Sequence, residues 1–409
     1  MDWTKQDFDP GATGPLSGLR VVDLSRLVAG NMTSLQLADA GADVIKVEPL
    51  PEGDPLRAWR NAGVSTFWKG YCRNKRSLAL DFRAEGAAGL LQRLLGDADV
   101  LIENFRAGTM EKMGLDPARL LEAHPRLIVL RVSGFGQTGP YGQRPGFGTL
   151  VEAMSGFAAR NGEEGGDPLL PPLALADMIS GLYGAFGIMT ALRAREATGR
   201  GQVIDLSLLE PMASVLGPEP ADFKLTGKVK PRVGNGSNTS SPRNVYPTRD
   251  GEFVALSASM QRMAERVLKL IGREDMLSDP RFSTNAARVK HRDEVDRAVG
   301  GWILGRDRAD VLAQFEKAGI TAAPILDAAD ISEDPHFHER GIFVEVPDDE
   351  MGSMPMHAPI PRLSETPGTL RFAAPRLGQH TRAVLAETGM TDDDIASALA
   401  AGLVAEAST

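Results

Sequence analysis

The sequence predicts an α/β fold in which a large domain is built on a parallel sheet and a smaller α/β domain is joined to it. Three observations lead there. A chain of 409 residues exceeds what one ordinary hydrophobic core organises. Short β-branched runs alternate with helix-spaced apolar segments through the first half. Past Gly217 the texture turns to Pro, Gly and Lys before a different pattern resumes.

In chain order, residues 19–24 read as a strand and 32–40 as a helix ended by Gly41. Residues 43–47 read as a strand, 85–95 as a helix, and 99–102 and 127–132 as two further strands. This alternation implies βαβ units, with ligands bound beyond the carboxyl ends of the strands. The arrangement is Rossmann-like in that loose sense only. No GxGxxG pattern follows the first strand, so a dinucleotide site is not predicted. Residues 173–192 are almost wholly apolar over about the length that crosses a bilayer. They include Asp177 and three glycines, without flanking anchors, and so read as a buried core helix. The turn Thr198-Gly199-Arg200-Gly201 follows, then a strand at 202–207.

The domain boundaries follow from these textures. Residues 1–212 form the first part of the large domain, 213–231 a linker, 232–330 the small domain, 331–347 a second linker, and 348–409 a return to the large domain. Within the small domain, 252–257 reads as a strand and 261–271, 292–304 and 308–318 as helices. Residues 382–387 and 392–399 close the chain as helices.

A formal charge of -9 and a pI near 5.3 argue against a nucleic-acid partner or a polybasic membrane surface. The lone Cys72 excludes an intrachain disulfide framework, and no Cys/His cluster has zinc spacing. His336 and His338 alternate as on a strand without a third ligand nearby and read as surface residues, and His380 as a structural turn residue. The first residues carry acids where a signal peptide has a basic region. The expectation is a cytoplasmic protein with no metal site.

Asp177 is the sharpest local anomaly, a lone carboxylate opening an apolar helix. A helix start supplies donors and positive potential that can hold such a charge. Two readings stand side by side from the pattern alone: an ordinary helix-capping aspartate, or a functional carboxylate.

A series of motifs runs in order along nearly the whole chain. Ala29-Gly30 follows the first strand, then Gly41-Ala42-Asp43-Val44-Ile45-Lys46-Val47-Glu48, and Gly53-Asp54 ahead of Trp59. Asn74-Lys75-Arg76-Ser77, Leu80-Asp81-Phe82, Glu103-Asn104-Phe105 with Gly108, and Met113-Gly114 come next. Gly134-Phe135-Gly136-Gln137-Thr138-Gly139-Pro140, the Asp177 helix and Leu377-Gly378-Gln379-His380-Thr381 complete it. Together they resemble the family III CoA transferases, the group of the formyl-CoA and carnitine CoA transferases.

The resemblance implies an interlocked homodimer that moves CoA between carboxylic acids, taking coenzyme A and acyl-CoA as substrate and holding no resident cofactor. It makes Asp177 the nucleophile, which forms a mixed anhydride and then an aspartyl-CoA thioester. It puts Leu80, Phe82 and Arg83 beside the adenosine, with Arg83 and Lys112 near the phosphates. Asn104, Phe105 and Met113 line the nucleotide, and Val28 and Ala29 the pantetheine end. From the residues alone, Phe82 and Met113 read equally as core packing, and Arg83 and Lys112 as a solvated face. The loop Gly234-Asn235-Gly236-Ser237-Asn238 is either cover for the site or a flexible turn. Pro49 stands where several members of that family carry a basic residue, and Val28 where the oxalate enzyme has glutamine, which leaves the acid open, with a small dicarboxylate as the expectation.

An α-methylacyl-CoA racemase shares this pattern but needs a histidine partner for its aspartate, where this chain has Phe147 after Gly146. Intramolecular CoA transfer would use the same nucleophile. A non-catalytic CoA-binding protein would have no need of Asp177.

Overall fold

Aliphatic runs build the strands of the central sheet: β1 (Arg20–Asp23), β2 (Asp43–Pro49), β3 (Lys75–Leu80), β4 (Val100–Glu103), β5 (Ile128–Ser133) and β6 (Val203–Ser207). They pair in parallel in the spatial order β3-β2-β1-β4-β5-β6, and the short strand Val404–Ala405 adds antiparallel to β3. Chain progress along the sheet reverses between β1 and β4. Loops leaving the two strands therefore diverge and open a crevice beyond their carboxyl ends. Val22, Ile45, Val47, Leu101 and Val129 are buried in the core under this sheet. These coordinates form a computed structural model that describes residues 3–407. Met1, Asp2, Ser408 and Thr409, on which the reading of the termini partly rests, lie outside the described residues.

Three helices place the site: α1 (Ala29–Asp39), α2 (Gly148–Met154) and α3 (Leu175–Thr198). The glycines of α3 let it lie directly on α1. A β-carbon at Gly181 would come within 2.5 Å of Met32 Cβ, and one at Gly184 within 2.6 Å of Thr33 Oγ1. The Thr33 hydroxyl lies 3.0 Å from the carbonyl oxygens of both Ala29 and Gly181. The prediction of a buried core helix holds for this face alone. On the other side Leu182, Tyr183, Met189 and Phe186 are exposed, Phe186 to 70%. By length and composition α3 would reach across a membrane.

The chain divides into two compact units. The first comprises 1–155, 171–217 and 335–409, and adds to the main sheet a small one formed by Thr4–Lys5, Phe343–Asp348 and Gly352–His357. The second comprises 156–170 and 218–334, with the antiparallel strands Arg243–Pro247, Phe253–Ser257 and Ala322–Pro324 over helices such as Arg292–Leu304. It is wider than the composition suggests. Residues 156–170 join it because Gly234 N–H donates to the Gly162 carbonyl and Arg232 bonds the Gly166 carbonyl. The stretches taken as linkers are largely ordered elements, including Glu219–Thr226, Ala328–Glu333 and Phe343–Asp348. His336 and His338 sit on the short helix Pro335–Glu339, not on a strand, and His338 stacks on Trp3. His380 precedes a helix and its Nδ1 accepts from Ser77 N–H, a structural role.

Candidate active site

Asp177 is the third residue of α3, which begins after Ala174 with no side-chain cap. It is therefore not the N-cap residue, a position held by Ala174. Its side chain rests on the first residue of α2: a β-carbon at Gly148 would come within 2.1 Å of Asp177 Oδ2, so glycine is what admits the carboxylate. One turn on, Glu152 is 2% exposed and accepts the Ala176 N–H at 3.0 Å. Burial pushes the Asp177 carboxyl up to about 6, Glu152 adds to the rise, and its own backbone N–H opposes it. The helix start was expected to favour the charged form, but desolvation and a second carboxylate outweigh it. At neutral pH the group is still mainly ionised, and more basic than a free carboxylate.

Asp177 opens on a cleft lined from the carboxyl ends of four strands. Arg26, Leu27 and Ala29 follow β1; Asn104, Phe105 and Arg106 follow β4; Ser133 and Gly134 end β5; Leu208 follows β6. This is the crevice that the strand order creates. Arg144 and Phe147 complete the wall. Arg144 stacks over Tyr141 at 3.9 Å and Arg26 over Phe105 at 5.6 Å. Three guanidinium groups in a chain of net charge -9 make the cleft locally receptive to anions.

The loops on either side of the cleft are tied together. Asn104 Oδ1 accepts from Arg26 N–H at 2.9 Å, and Asn104 Nδ2 donates to the Arg26 carbonyl at 2.7 Å. Buried Glu103 accepts Phe105 N–H at 2.7 Å and is paired with Arg131, which also reaches Glu111. The turn carrying Phe105 is thereby fixed to β5.

Of the residues singled out from the sequence, Ala29, Asn104, Phe105 and Asp177 line this cleft together. Val28 is buried beside Trp68 and Cys72. Leu80 lies fully buried in the main core. Phe82 and Met113 pack on that core, and the Phe82 ring meets Phe105 edge-on at 6.2 Å. Arg83 and Lys112 are exposed. The sequence reading did not select Arg26, Arg106, Arg144 or Glu152. The first two each sit just past a strand's carboxyl end, and that position in an acidic chain was an available signal. Glu152 had none, because only the fold brings it to Asp177.

CoA-transferase family III matches the chain over residues 16–381. The chain belongs to CoA-transferase family III. Among its relatives, the succinyl-CoA–D-citramalate CoA-transferase of Chloroflexus aurantiacus is 36% identical over 93% of this chain and 96% of its own length. The succinyl-CoA–L-malate CoA-transferase beta subunit of the same organism is 38% identical over 94% and 96%. A CAIB/BAIF family protein from Brucella suis has the same α/β fold, with a TM-score of 0.80 at 35% identity over 92% of this chain and 100% of that one. As a family III CoA-transferase, the protein is an enzyme whose substrates are CoA thioesters and carboxylic acids.

Proposed function

We propose that the enzyme moves CoA from an acyl-CoA to a small dicarboxylate through covalent intermediates on Asp177. The observation that carries this is a single carboxylate, poised near pH 6 and facing a cleft with cationic walls. An Asp177 oxygen attacks the thioester carbonyl; the C–S bond breaks, CoA leaves as thiolate, and a mixed anhydride remains. The thiolate then attacks the Asp177 carbonyl, releasing the donor acid and leaving an aspartyl-CoA thioester. The acceptor carboxylate runs the sequence in reverse. Raised basicity favours the attack, while partial burial limits hydrolysis of the anhydride.

The succinyl-CoA donors and hydroxydicarboxylate acceptors named for the two Chloroflexus relatives support a dicarboxylate here. Ala29 and Val28 are assigned to the pantetheine end, and Asn104, Phe105, Phe82, Leu80, Met113, Arg83 and Lys112 to the nucleotide end. Phe147, in the cleft with Asp177, has no proton to shuttle, which speaks against racemisation. The assembly proposed is the interlocked homodimer, and the compartment the reducing cytoplasm, consistent with a buried, unpaired Cys72.

Hydroxylamine added during turnover with succinyl-CoA and malate should trap Asp177 as its hydroxamate, read by peptide mass spectrometry. Asp177→Ala should lose transfer by at least about 10³-fold while still binding CoA. Unlabelled Asp177 under turnover would sink the covalent route, and no exchange with any of a panel of dicarboxylates would sink the choice of acid.

A further inference from the structure

The loop after β1 holds a strained residue that the chemistry above does not use. Leu27 has φ of +62°, in the left-handed region that side chains other than Gly, Asn and Asp rarely enter. Both of its peptide groups are tied. Its N–H donates to Asp54 Oδ1 at 2.9 Å, and its carbonyl accepts from Asn31 Nδ2 at 2.6 Å. Asn31 Nδ2 also donates to Asp54 Oδ2 at 2.8 Å, and Lys46 Nζ stands 3.2 Å from that same oxygen. Lys46 also donates to the Ser25 carbonyl. Asn31 and Lys46 are fully buried and Asp54 is 1% exposed. Burial alone would raise the Asp54 carboxyl, but Lys46, the Leu56 and Leu27 N–H groups and Asn31 hold it below the usual carboxylate range.

The neighbours are constrained as well. A β-carbon at Gly30 would fall 2.1 Å from Ser25 Cβ, so the loop is folded hard onto the start of α1. Two buried charges and a strained leucine are a costly way to turn from a strand into a helix. The strain falls where Leu27 and Ala29 line the cleft with Asp177. Strain of this kind persists where surrounding groups over-determine it, and clusters at functional sites.

We propose that Asp54, backed by Asn31 and Lys46, is a positioning residue that clamps Leu27 in the left-handed conformation and so presents the 27–29 backbone to the acyl-CoA beside Asp177. The inference rests on acyl-CoA entering this cleft, as proposed above. It makes a distinctive demand. With the clamp in place, the backbone preference of residue 27 is overruled; without it, that preference sets the loop.

The comparison is therefore Leu27→Gly against Leu27→Ala, two small residues that differ in tolerance of positive φ. It is made in the parent and in Asp54→Asn, reading CoA affinity by calorimetry and kcat and KM for transfer from succinyl-CoA. In the parent the two should agree within about twofold. In Asp54→Asn the glycine variant should bind CoA and turn over about tenfold better than the alanine variant, whatever their melting temperatures. Should Asp54→Asn not fold, Asn31→Ala keeps the Lys46–Asp54 pair and serves as the background. Equal behaviour of the glycine and alanine variants once the clamp is broken overturns the proposal, as does unchanged affinity and turnover in Asp54→Asn itself. A parent that binds CoA but serves no dicarboxylate would instead sink the assignment of the acids, with the glycine–alanine comparison still legible in CoA affinity.

Discussion

Asp177 titrates in the fold from an ordinary 3.8 to about 6, because burial and Glu152 both disfavour its charge. The folded state thus holds this proton more tightly than the unfolded chain. The group's relative stabilisation is complete below pH 3.8 and is lost as pH rises through about 6. Asp177→Asn should therefore melt above the parent at pH 7, by the equivalent of up to about 3 kcal/mol, with the gap closing below pH 4. Glu152→Gln keeps an acceptor for Ala176 N–H while removing the second charge. It should move the acid limb of kcat from near 6 to lower pH. Melting curves that stay parallel to the parent between pH 4 and 8, with an unmoved limb, would show that the carboxyl is not perturbed. Asp177 stood out in the sequence because it breaks an apolar run, and the family resemblance, not that pattern, singled it out as the proposed nucleophile. Its charge state was not legible there, since the partner lies 25 residues away on α2 and no local pattern records their approach.

Elements repeat the lesson at larger scale. β1, β2, β4 and β5 were legible because their aliphatic residues cluster, as a strand buried on both faces requires, and β6, a partly exposed edge strand, because Val203, Ile204 and Leu206 still carry a strand pattern. β3 was not read as a strand because Lys75 and Arg76 interrupt its pattern. The fold satisfies both charges: Lys75 is fully buried against the Asn31 carbonyl and side chain, and Arg76 pairs with Asp43 and Glu387. α3 misled in the opposite sense, its uniform hydropathy hiding two unlike faces. The inward face depends on backbone approach more than on hydrophobic bulk. Gly181→Ala puts a methyl 2.5 Å from Met32 Cβ and 2.9 Å from the Ala29 carbonyl, contacts that require α1 and α3 to separate. Urea denaturation should show a loss of about 2 kcal/mol. KM for the acyl-CoA should rise as well, because Ala29 borders the cleft. An undiminished midpoint would mean the helices have slack that these distances deny.

At the scale of the molecule, the outward face of α3 leaves Leu182, Tyr183, Phe186 and Met189 in solvent in the isolated chain. Grouped apolar side chains of this size on one helix mark a surface that another protein or a bilayer covers. The proposed homodimer supplies such a cover without a second kind of partner. The chain passes between its two units at Ser155, Leu170, Gly217 and Asp334. Interlocking has a consequence that ordinary association lacks. Subunits joined only by a surface separate on dilution, whereas threaded ones cannot part while folded. Sedimentation should thus give twice the 43.7 kDa chain mass, and that value should persist from micromolar to nanomolar protein. Phe186→Glu then sharpens the test, because a charge forced into a threaded interface cannot be relieved by dissociation. It should lower the melting temperature or prevent folding, and release no folded monomer. A folded 43.7 kDa species from this variant would refute threading while leaving α3 as a contact surface, and a monomeric parent would remove the dimer itself.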